Sequence, residues 1–374
     1  MVKVLFVSDT FYPRVDGIIR FIEEMYSKLN GKYDITFLVP KLKGGSRKAK
    51  LRKMKVVYCP TFKFSIAEFT PSKPVGSIVK KAIEHSDLVF VNTPGGPLGA
   101  SSIYHASKKG KKIISYAHTL DWELFPFATD RPKLKNILIP ILKRIYSKSD
   151  LILVPDKLIA EEYQKIGIES EFKVLPLGAD VRKFKENIFD RFIVRKELGI
   201  GKEFVIGYHG RLSKEKNIKL LVDSFKDFRR KYPDSKLLVL GDGPERDLVK
   251  GEGIISTGFV ANPETYLRTM DCYVLLSKTE TSALSLMEAI ASGIPIITSN
   301  AGLIPTYVNE KTGILLKQTD LKKKNVVRAM ESIRNQRFKA KIKTIAARIL
   351  IEKRDWSKIA NELSKIFDEM IKQT

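Results

Sequence analysis

The chain has 374 residues, 43% of them hydrophobic, and carries a formal net charge of +25. This length suits two domains, the apolar content is too high for a disordered chain, and no apolar run reaches the ~18 residues of a membrane span. Two distant cysteines, Cys59 and Cys272, argue against a disulfide framework, and four histidines (85, 105, 118 and 209) lack metal-ligand spacing.

In chain order, Val2 to Val7 reads as a strand, followed by a loop with Pro13 and Gly17. Its apolar stretch is too short for an export signal, so a reduced, metal-independent cytoplasmic protein is expected. Ile18, Ile22, Met25, Tyr26 and Leu29 then recur at helical spacing. Strand-like runs follow at Ile35–Val39, Leu88–Val91, Lys112–Tyr116, Leu151–Val154 and Phe172–Leu175. Between the first two lies Lys41–Lys55, with eight Lys/Arg and no acid. Such a run gains about 1 kcal/mol per cation near anionic lipid, so an anionic membrane surface or substrate is the expected partner. Lys108–Lys112 and Lys322–Lys324 are smaller clusters that equally suit a solvated surface. Leu134, Ile137, Leu138, Ile141, Leu142 and Ile145 interleave with Lys133, Lys135, Lys143 and Arg144, a pattern shared by core-facing and membrane-surface helices.

Pro176–Asp180 and the polar run to Asn187 read as a linker. The second half repeats the plan of the first: a strand at Phe204–Tyr208, a loop at Gly210–Asn217, and Ile218, Leu221, Val222, Phe225 and Phe228 at helical spacing behind Asn217 as a cap. Further strands are expected at Lys236–Leu240, Gly253–Thr257, Cys272–Leu276 and Pro295–Thr298. Alternation of this kind indicates an α/β chain with parallel, helix-covered sheets, whose ligands bind beyond the carboxyl ends of the strands. A last helix carries the apolar stripe Trp356, Ile359, Ala360, Leu363, Ile366, Phe367 and Met370, which must be buried.

Four segments hold candidate chemistry. In Gly210-Arg211-Leu212-Ser213-Lys214-Glu215-Lys216-Asn217, Arg211 and Lys216 can clamp a diphosphate beside the amides of a helix start; the segment alone is also readable as a capped, charged loop. Glu280 and Glu288 flank a helix expected to begin near Ser282, where carboxylates can accept from sugar hydroxyls or simply cap the helix. Gly241-Asp242-Gly243-Pro244-Glu245 is a weak dinucleotide fingerprint, because Asp247 stands at the third glycine position, and reads better as a structural turn. His118, in Ser115-Tyr116-Ala117-His118-Thr119, can bond substrate or be a buried structural histidine.

Taken together, these pieces resemble glycosyltransferase family 4, the retaining GT-B family. The resemblance rests on Pro13, Asp16 and Gly17, His118-Thr119, Pro176–Asp180, Gly210-Arg211-Leu212 with Glu215-Lys216-Asn217, Gly241–Pro244, and the Glu280/Glu288 pair running into Ser292-Gly293-Ile294-Pro295. It implies two Rossmann-like domains facing across a cleft: an acceptor domain at 1–177, a nucleotide-sugar domain at 178–352, and a helix at 353–374 crossing back to the first. It implies transfer of a hexosyl group of glucose or mannose type from a UDP- or GDP-linked sugar, without metal or other cofactor. Arg211, Lys216, Glu280 and His118 would act in catalysis. Asp16, Gly17, Gly210, Arg211, Lys216, Glu280, Ser282, Ala283, Leu284 and Glu288 would bind the donor, with Glu288 on the ribose and Gly17 allowing close approach to the diphosphate. The sequence departs from the family at Ser282-Ala283, where Phe-Gly is common, at Asp16-Gly17, where a glycine pair is common, and at Gly302-Leu303-Ile304-Pro305-Thr306, which lacks a second glycine and a glutamate. These positions fall where sugar hydroxyls would be read.

With the basic segments, the expected acceptor is a lipid or lipid-linked glycan at the cytosolic membrane face. A soluble sugar or polysaccharide is the alternative within the class. Outside it stand a nicotinamide-dependent dehydrogenase, which lacks the full fingerprint, and a non-enzymatic anionic-polymer binder; no nucleic-acid recognition motif is present.

Overall fold

Strand β1 (Lys3–Val7) is apolar on both faces, as a central parallel strand must be. It begins a chain that is described here by a computed structural model covering all residues except 15, 46–48, 51, 66–68, 123–133, 186 and 374, and not the side chains of 134 and 135. Helix α1 (Gly17–Leu29) follows, then β2 (Asp34–Pro40), β3 (Lys55–Cys59), α2 (Gly76–Glu84), β4 (Leu88–Val91), α3 (Pro97–Lys108), β5 (Lys112–Tyr116), α4 (Leu134–Tyr146), β6 (Leu151–Val154), α5 (Lys157–Lys165) and β7 (Phe172–Val174). Among the described residues these strands form a seven-stranded sheet in the order β3-β2-β1-β4-β5-β6-β7, parallel throughout.

Next come α6 (Ile188–Glu197), β8 (Phe204–His209), α7 (Ile218–Lys231), β9 (Ser235–Leu240), β10 (Ile254–Gly258), α8 (Pro263–Leu267), β11 (Cys272–Leu275), α9 (Leu284–Ala291), β12 (Ile296–Ser299), β13 (Ile314–Leu316), α10 (Lys323–Asn335), α11 (Arg337–Glu352) and α12 (Trp356–Lys372). The second sheet has the order β10-β9-β8-β11-β12-β13 and is likewise parallel. The chain divides into two compact units, Met1–Leu177 with Trp356–Thr374, and Gly178–Asp355. The last division therefore falls at 355/356, where the sequence reading places it at 352/353.

Both sheets share one topological feature. The chain steps from β1 outward to β3 and then returns to β4 on the other side, and it steps from β8 outward to β10 and returns to β11. The adjacent strand pairs β1/β4 and β8/β11 are therefore switch points, where the following loops diverge and leave a crevice beyond the carboxyl ends.

Two strands escaped the sequence reading. Strand β3 is half-exposed at the sheet edge and continues directly from the basic run, and β13 has only three residues. The segment read as linker is partly structural: Val181 and Phe184 are buried in the second unit's core, and Ala179 pairs with Asp355 beside the return crossing. Asn217 does precede α7, but it holds φ +57° and its side chain makes no capping bond. Helix α9 starts at Leu284 rather than near Ser282.

The stripe on α12 is buried along its length, from Trp356 to Met370. Phe367 packs against Phe6, Tyr33 and Phe90 at ring separations of 6.1, 5.5 and 5.4 Å, and Trp356 meets Phe21 at 6.2 Å. Asp368 accepts from the Tyr33 hydroxyl (2.6 Å) and Lys32 (2.7 Å) at the helix edge. Truncating a buried phenylalanine removes both its transfer free energy and its packing. Phe367→Ala is expected to lower stability by about 3–5 kcal/mol in denaturant unfolding.

Candidate active site

The second unit's site grows from the β8/β11 switch point. Beyond β8, Gly210 lies at φ +146° and donates its amide to Leu240 O at 2.9 Å. Gly241, at φ +143°, approaches so closely that a Cβ there would lie 1.9 Å from Gly210 O. Leu212 ties the same two loops together, donating to Asp242 O and accepting from Glu245 N, both at 2.9 Å. The Gly241–Glu245 segment is thus a turn that braces the Gly210–Lys216 loop. Two phenols brace it from below: Tyr208 donates to Arg211 O (2.6 Å) and Tyr273 to His209 O (2.9 Å). Burial, with nearby Tyr273 and Glu280, pushes the Tyr208 hydroxyl far above its ordinary pKa, so it stays a donor.

Beyond β11, Glu280 is almost wholly buried. Its Oε1 accepts from Lys216 Nζ at 2.6 Å and Ser277 Oγ at 2.8 Å. Glu288 is buried on α9, with Oε2 3.4 Å from His209 Nδ1. The two glutamates therefore have different partners, one a lysine and the other a histidine. Arg211 is exposed at the loop surface. The first amides of α9 lack intrahelical acceptors, as at any helix start. Beside them Ser282 is 3% exposed, and its Oγ has no hydrogen-bond partner among the described residues. A buried hydroxyl and helix-start amides without side-chain caps are groups of the kind that can bond an anion.

In the first unit, Asp16 caps α1, with Oδ1 accepting from Ile19 N (2.9 Å) and Oδ2 from Thr10 Oγ1 (3.0 Å); Gly17 is the exposed first residue of that helix. His118 is 7% exposed, its ring lies 4.0 Å from that of Tyr116 and 5.2 Å from that of Phe21, and neither ring nitrogen has a hydrogen-bond partner among the described residues. Burial lowers its pKa to about 3, so it is neutral at physiological pH. Sequence reasoning missed Asn92, one residue beyond β4 at the β1/β4 switch point. Its amide is 1% exposed and unpartnered among the described residues. Only a polar residue ending an otherwise apolar strand hinted at it. Among the described residues no group of three or more His, Cys, Asp or Glu is placed to hold a metal ion.

A family model described as glycosyltransferase family 4 matches residues 15–183, and one described as glycosyl transferases group 1 matches 190–348. The chain belongs to glycosyltransferase family 4. It is 30% identical over 221 residues to the alpha-monoglucosyldiacylglycerol synthase of Acholeplasma laidlawii, an alignment spanning 55% of each chain. It is 24% identical to a GDP-mannose-dependent phosphatidylinositol monomannoside mannosyltransferase of Mycolicibacterium smegmatis, over 85% of this chain and 86% of the relative. The solved structure of HepE from Anabaena with UDP-glucose superposes with a TM-score of 0.80 over 99% of this chain and 100% of that one, at 16% identity. That likeness shows the GT-B fold.

This family-4 glycosyltransferase carries an alanine at a strained backbone position. Ala283 sits at φ +48° immediately before α9, the left-handed region that disfavours a Cβ. Ala283→Gly relieves that strain while adding unfolded-state entropy, so a net gain of about 0.5–1 kcal/mol in thermal unfolding is expected.

His118 makes a second expectation. Its folded pKa lies below the unfolded value, so the unfolded state takes up the proton first and stability falls as pH drops from about 6.5 towards 3. Asp121, raised to about 6 by burial, acts in the opposite sense, because the stability of its protonated form is lost as pH rises through 6. The clean measure is therefore a difference: the stability of His118→Phe relative to the unaltered chain should rise between about pH 7.5 and about pH 5 in denaturant melts. An unchanged difference would place His118 outside the buried, neutral state described.

Proposed function

We propose that this enzyme is a retaining glycosyltransferase that moves a hexosyl group from a nucleoside-diphosphate sugar to a lipid or lipid-linked acceptor. The observation that carries the donor assignment is Lys216 paired to Glu280 beside the uncapped start of α9. Breaking the bond from the anomeric carbon to the leaving phosphate builds negative charge on the diphosphate and electron deficiency on the sugar. Lys216, Arg211 and the α9 amides are the groups suited to the first charge. A diphosphate attracts Lys216 away from Glu280, whose carboxylate is then available to a sugar hydroxyl, with Ser277 still donating to it. Gly210, without a Cβ, lets the phosphates approach the loop, and Ser282, Ala283 and Leu284 supply the helix-start contacts. Glu288 is assigned to the ribose hydroxyls. By resemblance, Asp16, Gly17 and His118 serve the diphosphate and sugar, with neutral His118 able to donate or accept one hydrogen bond. In this reading the cations, rather than a metal, neutralise the leaving group.

The lipid acceptor is supported by similarity to an alpha-monoglucosyldiacylglycerol synthase and a phosphatidylinositol monomannoside mannosyltransferase, and by the chain's charge. Within the Lys41–Lys55 run, residues 46–48 and 51 lie outside the described residues. Of the rest, Arg52 pairs with Glu23 and Lys55 with Asp34, and Lys41, Lys43, Lys50 and Lys53 are exposed. On α4, Ile137 and Ile141 are exposed near Lys143 and Arg144; Lys133 and the side chains of Leu134 and Lys135 lie outside the described residues. No described helix is long and apolar enough to cross a membrane. The same proposal, from the lipid acceptor and the exposed basic residues, puts the enzyme peripherally at the inner membrane face.

Thermal stabilisation against UDP-, GDP- and ADP-sugars tests the donor assignment. One nucleotide class should raise Tm, Arg211→Ala/Lys216→Ala should abolish the shift, and the double variant should lose about a hundredfold or more in kcat. A shift that survives the double variant would overturn the clamp. Product NMR should show the donor's anomeric configuration, and an inverted product would exclude the retaining assignment.

A further inference from the structure

Helix α11 (Arg337–Glu352) buries one apolar face and exposes another. Ala340, Thr344, Ala347 and Ile351 point into the second unit's core, whereas Phe338, Ile342, Ile345 and Ile349 are 82%, 52%, 56% and 55% exposed. At about 100° per residue the four outward side chains fall within a sector of about 60°, roughly opposite the buried face, along about 16 Å of helix. Cations border the stripe on both sides. Lys341 and Arg348 flank one side and Lys339 the other, with Arg337, Lys343 and Lys353 adding charge nearby; Lys341 and Lys343 also reach Gly293 O and Gly313 O at 3.3 and 3.4 Å, and the single acid, Glu352, pairs with Arg348 at 3.6 Å.

Single exposed apolar residues are ordinary; an aligned row with basic borders is not. It matches helices that lie in a lipid interface, with apolar side chains in the acyl boundary and long basic side chains reaching phosphates. The exposed apolar patch of α6 (Ile188, Phe189, Phe192) differs, because two acids, Asp190 and Glu197, stand on that helix and its arginines Arg191 and Arg195 are held by Asp271. A second copy of the chain is disfavoured as occupant, since stacking two such faces brings like charges together. We propose that the outward face of α11 rests on an anionic lipid surface. The inference deepens the lipid-acceptor reading and rests on it, by naming a surface of the second unit that would hold the enzyme where its acceptor lies.

The test is co-sedimentation of the full chain with phosphatidylcholine vesicles, with and without phosphatidylglycerol, using Ile342→Gln/Ile345→Gln and, as control, Ile188→Gln/Phe189→Gln. Both pairs are exposed and leave charge unchanged, and thermal melts confirm folding. Binding should require phosphatidylglycerol and weaken with salt, and the α11 pair should lower the partition coefficient about tenfold while the control leaves it unchanged. An α11 variant that binds like the unaltered chain, or an unaltered chain that ignores anionic vesicles, overturns the proposal. So does a dimer that the α11 pair dissociates without changing vesicle binding, which would assign the face to a second copy. The two readings separate cleanly: vesicle binding through α11 with no lipid product from any sugar nucleotide sinks the lipid acceptor alone, and lipid product formed with α11-independent binding sinks this inference alone.

Discussion

The loops beyond β8 and β9 depend on two glycines meeting without side chains. With the Gly210 carbonyl 1.9 Å from where a Gly241 Cβ would stand, the loops after β8 and β9 can lie against each other only as glycine backbone. That contact, closed by the paired bonds of Leu212, sets the path of the chain from Gly210 to Lys216. From there Lys216 reaches Glu280, and the position of Glu280 is held in turn by Gly302, where a Cβ would fall 1.7 Å from the Glu280 carbonyl. Three glycines in three loops thus help position one cation and one carboxylate.

Burial does the complementary work. The sheets and their helices supply two apolar cores, and the site residues sit where those cores end, at strand termini beside the switch points. Desolvation keeps Tyr208 a neutral donor and His118 a neutral ring. Among the buried polar atoms without a hydrogen-bond partner, which are scattered through both units, those of Asn92, His118 and Ser282 lie at or just beyond the carboxyl ends of strands or at the helix start after them. Leaving a buried polar group unsatisfied costs stability, and at these three places a bound molecule could supply the missing partner.

Charge acts at two scales. In the proposed donor site, a single cation held by a short hydrogen bond, Lys216, matters because geometry and partial burial concentrate its effect. Over the surface, the excess of +25 acts through many solvated lysines, each weak and salt-sensitive, whose sum favours anionic partners. The exposed stripe on α11 belongs to this second scale, since its cations border apolar side chains rather than a pocket.

Much of this was legible in the sequence because it depends on local period and loop chemistry. Alternating apolar runs announced parallel sheets, the stripe from Trp356 to Met370 announced a buried last helix, and the GRLxxEKN and Glu280/Glu288 segments marked the polar loops beyond β8 and β11. What stayed hidden depends on neighbours distant in sequence. Edge strand β3 is too exposed, and β13 too short, to show a period. The outward stripe of α11 has the same helical spacing as an inward one, and only packing tells which face is covered. The pairing of Lys216 with Glu280 spans 64 residues, and the bracing of Gly210 by Gly241 spans a strand and a helix. The sequence by itself determined the fold class, the family and the loops that carry charge, because residue type and spacing act through local geometry. Only the tertiary structure decided which charges meet, which polar groups lack partners and which apolar face remains exposed, because those follow from the packing of segments far apart along the chain.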